Sequence, residues 1–220
     1  MSASQWKQAW ENGEIDFHQT QINPQLKAWL PRLGLTEGAR IFVPMCGKSQ
    51  DMAWLLTQKL CVTGVEISPI ALAAFFEANA MIAHSRQEGR LCCWQAGPIS
   101  LFCGDIFKLR REDLADVAAV YDRAALLALS PAMRRRYVRH LHSILPAQCS
   151  ILLITTEYPE AAEADPPFTV ASEILALYQE AYSIELLHTE RGFETHPGEG
   201  QSGLQATQEK IHLLRRGDSP

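Results

Sequence analysis

At 220 residues, 47% hydrophobic and with a net charge of −5, the chain has the material for one domain with a substantial core and carries no general affinity for nucleic acid or anionic lipid. Its six cysteines (46, 61, 92, 93, 103 and 149) fall mostly inside predicted strands and form no Cys-x-x-Cys pair, so a structural metal is not expected and buried free thiols suit a reducing compartment. No stretch of about 18 apolar residues occurs, and the N-terminus, charged at Lys7 and Glu11, lacks a signal-like apolar core. A cytoplasmic protein with no membrane partner is expected.

Ser4 reads as the cap of a short helix that ends at Asn12-Gly13. Trp6 and Trp10 stand four apart on it and share a face, either stapling this arm to the body or laying an indole face over a cation. Phe17-His18-Gln19 follows in a polar connection, where His18 reads as a hydrogen bonder or a substrate contact. Asn23-Pro24 caps a helix to Leu30, stopped by Pro31, and Gly38 turns the chain into the next strand. Residues 1–24 are thus an arm on a single domain spanning 1–220.

The stretch from Ile41 to Leu56 is a buried strand, a polar turn and an amphipathic helix. Cys61 to Ile67 then forms a second buried strand, with Glu66 near its C-terminal end and nineteen residues beyond Gly47. In a doubly wound sheet, an acid at that place can accept both hydroxyls of a ribose. Three ligand classes use such a crevice. Gly47-Lys48-Ser49 matches the end of a P-loop, with Asp122 as an acidic strand end, but Phe42 occupies the first glycine position and Pro44 lacks a backbone donor. A dinucleotide fingerprint would need three glycines where Gly47 stands alone. A ribose ligand without phosphates requires neither, and S-adenosylmethionine is that ligand.

Ser68-Pro69 starts a helix to about Asn79, with Ile70, Leu72, Ala73, Phe75 and Phe76 on its apolar face. Leu91 to Gln95 and Ile99 to Cys103 form a hairpin whose second arm enters the sheet. Asp105, in the turn that follows, either accepts from an adenine amine while Ile106 packs on the ring, or caps a helical turn. Val117 to Tyr121 is the fourth strand and runs into Asp122-Arg123, an ion pair at a strand's ligand end. Arg123 is the leading catalytic candidate. From Pro131 a helix faces inward through Val138, Leu141, Ile144 and Leu145, with Arg134, Arg135, Arg136 and Arg139 on its solvated side. His140 and His142 diverge and make a poor metal pair. Ser150 to Thr156 is the fifth strand, residues 158–168 a lid or a surface loop, and Thr169 to Tyr182 a helix. Ile184 to His188 and Lys210 to Leu214 close the sheet. The alternation indicates an α/β fold with a mainly parallel sheet and helices on both faces.

Taken together, Trp6-x-x-x-Trp10, Phe17-His18-Gln19, Val43-Pro44-Met45-Cys46-Gly47-Lys48-Ser49-x-Asp51-Met52-x-Trp54-Leu55, Gly64-Val65-Glu66-Ile67-Ser68, Tyr121-Asp122-Arg123-Ala124-Ala125-Leu126 and Pro166-Pro167-Phe168 resemble the thiopurine S-methyltransferases, closely in their bacterial form. The resemblance implies a doubly wound, Rossmann-like class I methyltransferase fold with seven strands, S-adenosylmethionine as methyl donor, and methylation of sulfur on aromatic or heterocyclic thiols, with selenium or tellurium species as further acceptors. It places Trp10, Met45, Glu66 and Arg123 along the cofactor, Asp105 and Ile106 at the adenine, and Phe17 and Arg123 beside the acceptor. Met45 stands where many relatives have leucine, a volume-conserving change. Asp16 puts a charge where a small residue is usual.

Methyl transfer to a thiol needs neither an enzyme nucleophile nor a metal, so Cys46 is not expected to act as a nucleophile. Arg123 beside the acceptor sulfur would favour thiolate over thiol. The chain is expected to act as a monomer on a small-molecule acceptor. Two rival readings stay open: a P-loop-like nucleotide-binding protein, and a non-catalytic adenosyl-ligand sensor.

Overall fold

The computed structural model describes residues 3–15, 18–157, 173–195 and 204–216. Its centre is a run of strands buried on both faces: β1 (Arg40–Pro44), β2 (Cys61–Glu66), β5 (Ile99–Cys103), β6 (Val117–Arg123) and β7 (Ser150–Glu157). All neighbouring pairs among these five run parallel. Parallel pairing requires a crossover between strands, and helices supply it. α3 (Gln50–Thr57) follows β1, α4 (Pro69–Ala78) follows β2, and α5 (Pro131–Ile144) follows β6. The remaining elements are α1 (Ala3–Asn12), α2 (Pro24–Trp29), α6 (Glu173–Tyr178), the strands β3 (His84–Glu88) and β4 (Leu91–Ala96), and the long pair β8 (Tyr182–Thr195) and β9 (Leu204–Arg216).

The strand order is β3-β4-β5-β2-β1-β6-β7-β9-β8, nine strands among the described residues. The seven expected strands occupy β5 through β8 in that order, and the hairpin of β3 and β4 extends the sheet beyond β5 by antiparallel pairing. Nothing in the hydrophobic pattern announces β3. His84, Ser85, Arg86, Gln87 and Glu88 are all polar, as suits an edge strand whose charged side chains discourage further pairing.

Side-chain alternation divides the core in two. Along β1, Ile41 and Val43 point to one face and Phe42 to the other. The first face packs Leu26 of α2, Met52 and Leu55 of α3, and Leu72, Phe75 and Phe76 of α4; the second packs Tyr137, Val138 and Leu141 of α5 with Tyr178 of α6. Each large apolar side chain removed from water here contributes roughly 1.5–3 kcal/mol. Three helices start on a capping side chain: Asn23 accepts from Gln25 N and Leu26 N, Ser49 from Asp51 N, and Ser68 from Ala71 N. Ser4, expected to cap the first helix, lies inside it.

Several expectations change. Ile70 and Ala73 lie exposed on α4, which buries Ala71, Leu72, Phe75 and Phe76 instead. The α-helix from Pro24 does end before Pro31, with Leu30 as its cap, and a separate 3₁₀ turn over Leu30–Leu33 follows to Gly34, since a proline costs no bond at the first positions of a helical turn. α6 ends at Tyr178, short of the predicted end at Tyr182, and the predicted start over 169–172 lies outside the described residues. The closing strands are longer than their apolar centres. Arg134, expected in solvent, is buried, with Nε donating to the carbonyls of Leu126 at 2.9 Å and Leu129 at 3.1 Å. The stretch 158–168 read as a lid lies outside the described residues, as do Asp16 and Phe17.

Candidate active site

In the observed order the chain leaves β1 toward β2 and β5 on one side and returns through β6 and β7 on the other. The switch point lies between β1 and β6, and the crevice beyond the carboxyl ends of these strands is where open α/β sheets take ligands. The turns bordering it are strained. Met45, directly after β1, has φ 48°, and Ala124, directly after β6, has φ 64°, a conformation that costs a non-glycine residue about 1–3 kcal/mol and that Lys59 and Ala80, past the ends of α3 and α4, also adopt.

Glu66 ends β2 on this crevice. Its carboxylate accepts Gly47 N–H at 3.0 Å through one oxygen and Ser68 N–H at 2.8 Å through the other. Burial raises its pKa, and those same two donors oppose the rise by favouring the carboxylate. Each oxygen can accept more than one bond, so the group is fixed in direction with capacity left for hydroxyl donors. Gly47 adopts φ 52°, and a Cβ there would stand 3.4 Å from the Trp10 ring. Trp10 is itself buried, with Lys48 Nζ 6.0 Å from its ring centroid. The arm's indole therefore lies against the turn that carries Glu66's donor. Both the staple and the ligand-cover readings of Trp10 fit that placement.

The β5 side presents Asp105 and Ile106. Asp105 Oδ1 accepts Phe107 N–H at 3.0 Å and so caps a 3₁₀ turn, as one reading expected. Ile106 is buried, and its carbonyl accepts from His140 Nε2 at 2.9 Å. His142 turns the other way, taking Arg216 at 3.0 Å, so the two histidines do diverge.

Alternation decides what happens at the β6 end. Asp122 and Arg123 are neighbours on a strand and point to opposite faces, so the ion pair expected between them does not form. Asp122 enters the α5 face, where it accepts the Tyr137 O–H at 2.7 Å; burial pushes its carboxyl up to about 6. Arg123 shares its face with Tyr121, and the two meet Asp51 in the first turn of α3, with Arg123 Nε 3.2 Å from Oδ2 and Tyr121 O–H donating to it at 2.9 Å. Arg123 Nη1 also donates to Gln19 Oε1 of the arm at 2.5 Å. Burial, and then the nearby charges of Lys48 and Arg123, lower the pKa of His18 below the ordinary imidazole value.

The structure thus brings Trp10, Met45, Glu66, Asp105, Ile106 and Arg123 around one crevice. Sequence reasoning missed Asp51, Tyr121 and Gln19 as partners. The period-two spacing of Tyr121 and Arg123, and an acid two residues past a capping serine, were the available signals. Cys46 is buried, and burial together with the Glu66 charge raises its thiol well above the ordinary value, which argues against a nucleophile. Asp51 also weighs against a P-loop: a buried carboxylate in the first turn of α3 repels the phosphate that a helix N-terminus would otherwise attract.

The fold is that of solved S-adenosylmethionine-dependent methyltransferases. A structure of such an enzyme from Anabaena variabilis superposes with a TM-score of 0.65 at 16% identity, covering 98% of this chain and 95% of that one. The 1,6-didemethyltoxoflavin-N1-methyltransferase of Burkholderia thailandensis, solved with bound 1,6-didemethyltoxoflavin and S-adenosylhomocysteine, gives 0.65 at 16% identity over 98% of this chain and 87% of its own. At such identity the likeness speaks for the fold. Sequence is more specific: the family model for thiopurine S-methyltransferase matches residues 1–217. The thiopurine S-methyltransferase of Nitrosospira multiformis is 45% identical over 215 residues, 97% of this chain and 98% of the relative, and that of Pseudomonas putida is 41% identical over 216 residues, 98% and 100%. The chain belongs to the thiopurine S-methyltransferase family and is an S-adenosylmethionine-dependent methyltransferase.

Proposed function

We propose that this enzyme methylates sulfur on small aromatic or heterocyclic thiols, thiopurines among them, and accepts selenium or tellurium species at the same place. The observation that carries the reading is Glu66, a buried carboxylate at the ligand end of β2 with both oxygens pinned by backbone N–H groups. When bound, S-adenosylmethionine supplies an electrophilic methyl group on a sulfonium. Glu66 holds the ribose hydroxyls, Asp105 accepts from the adenine amine, Ile106 packs on the ring, Met45 lines the cofactor, and Trp10 offers its face to the sulfonium. Arg123 borders the acceptor, and the family resemblance assigns Phe17, outside the described residues, to the same side. Arg123 has a buried carboxylate beside it, which offsets part of its charge, so it acts as an oriented donor that favours the thiolate form of the acceptor. The acceptor's proton leaves to solvent before the methyl is transferred, and its charge is consumed as the new bond to carbon forms.

No residue in this scheme is asked to form a covalent bond or hold a metal. The chain's own contribution is orientation and the exclusion of water around an acceptor held in line. A single chain carries every residue invoked, so we propose a monomer. No helix among the described residues is long and apolar enough to cross a membrane, the cysteines are free thiols, and we place the enzyme in the cytoplasm.

The test is incubation with methyl-labelled S-adenosylmethionine and a panel of aromatic thiols, selenols and oxyanions, with and without EDTA. The expected result is metal-independent label on a thiol sulfur. Binding of the donor with no label on any acceptor would support the sensor reading instead.

A further inference from the structure

We propose that Asp51 is the positioning residue for Arg123, and that it makes the acceptor side of the crevice conditional on the docked N-terminal arm. The proposal rests on the reading of Arg123 given above. Arg123 ends a strand on a long, flexible side chain, and a defined direction for its guanidinium requires fixed partners.

Asp51 is fully buried, and both of its oxygens are engaged. Oδ2 pairs with Arg123 Nε and accepts the Tyr121 hydroxyl, while Oδ1 accepts the backbone N–H of Asn23 at 2.8 Å. Tyr121 is buried too, and burial raises its hydroxyl well above the ordinary value, so it remains a donor across the working pH range. Gln19, four residues before Asn23, holds the guanidinium from its other side. The arm therefore touches both members of the pair, the carboxylate through a backbone N–H and the guanidinium through a side-chain amide. Asp51 is fully buried while the Arg123 side chain is 17% exposed, so taking away Arg123 leaves the carboxylate desolvated and uncompensated, and taking away the carboxylate frees the guanidinium to turn toward water. The arm, Asp51 and Arg123 accordingly set one another's positions, and Arg123 faces the acceptor only when all three are assembled. Glu66, held by the Gly47 and Ser68 backbone, does not depend on this linkage.

The experiment is a double-mutant cycle on the full chain, using Asp51→Asn, Arg123→Ala and the pair, with kcat and KM measured for an aromatic thiol and for S-adenosylmethionine. Asp51→Asn keeps the shape and the Asn23 contact but removes the charge. It is expected to lower kcat about 10- to 100-fold, the usual cost of a misplaced group. The KM for S-adenosylmethionine should stay within about 2-fold, and in the Arg123→Ala background the same substitution should add less than about 2-fold. Full additivity would overturn the proposal while leaving Arg123 at the acceptor. An Arg123→Ala enzyme with undiminished turnover would overturn both. Should Asp51→Asn fail to fold by circular dichroism, Tyr121→Phe, which removes one contact to Asp51 and leaves every charge, takes its place in the cycle. The same split and the same non-additivity are expected, and additivity again overturns the proposal.

Discussion

The β2 end and the β6 end of the crevice are built by different means. Glu66 is held by backbone groups of its own loop and of the turn after the neighbouring strand, Ser68 and Gly47. Arg123 is held by side chains far away in sequence: Gln19, 104 residues earlier, and Asp51 in the first turn of α3. A backbone-made site follows from the fold itself and tolerates side-chain variation around it. A side-chain-made site depends on tertiary closure and on the arm. The cofactor side should therefore be robust, the acceptor side fragile, and substitutions can separate the two.

The largest effect is expected at the fragile end. Arg123→Ala should cut kcat/KM for an aromatic thiol by about 100-fold, as expected when loss of an opposite charge raises the acceptor's pKa by about 1–3 units, and most where the free thiol is protonated. Steady-state kinetics across pH, with Arg123→Glu as the more severe variant, checks this, and an unchanged pH profile would remove Arg123 from that role. At the robust end, Glu66→Gln should weaken adenosyl-ligand binding by roughly 1.5–3 kcal/mol, as for hydrogen bonds to a charged group. Calorimetry reads it directly.

Asp122 sharpens the comparison because it lies on the same strand as Arg123 and faces away from the crevice. Its carboxyl is raised from 3.8 to about 6 in the folded chain. Between those values the folded state binds more protons than the unfolded one, so this group's contribution to stability falls as pH rises through that window. Asp122→Asn, still able to accept from Tyr137, removes the penalty. Its gain over wild type in thermal melts should be small near pH 4 and grow to on the order of 2–3 kcal/mol above pH 7. A pH-independent difference would contradict the assignment.

The smallest effect belongs to Trp10. If its face meets the sulfonium, Trp10→Ala should weaken S-adenosylmethionine more than S-adenosylhomocysteine, which lacks the sulfonium charge, by about 0.5–2 kcal/mol. Equal losses would leave Trp10 as a staple of the arm.

The robust half was the half legible in the sequence. The strand, the turn with Gly47 and the acid nineteen residues on form a local pattern, and local patterns survive folding because few distant residues can override them. The caps at Asn23 and Ser68 were legible for the same reason, whereas Ser4, read as a cap, lies within α1. Long-range side-chain contacts were not. Asp51 reads as an ordinary first-turn acid on a capped helix until the sheet brings β6 beside it. Arg134 sits in an arginine-rich run whose neighbours Arg135 and Arg136 are exposed, and its burial follows from the carbonyls of the turn after Arg123 needing a donor. The strand β3 escaped because an edge is stabilised by backbone bonds and kept solitary by polar side chains, so it carries no apolar period.

Titration calorimetry with S-adenosylhomocysteine and, separately, with ATP and magnesium puts the central claim to its most direct test. A carboxylate at the end of β2 with an acid rather than a phosphate berth at the start of α3 predicts saturable binding of the first ligand, diminished in Glu66→Gln, and none of the second. Magnesium-dependent binding of ATP, with the adenosyl compound giving no heat, would contradict it.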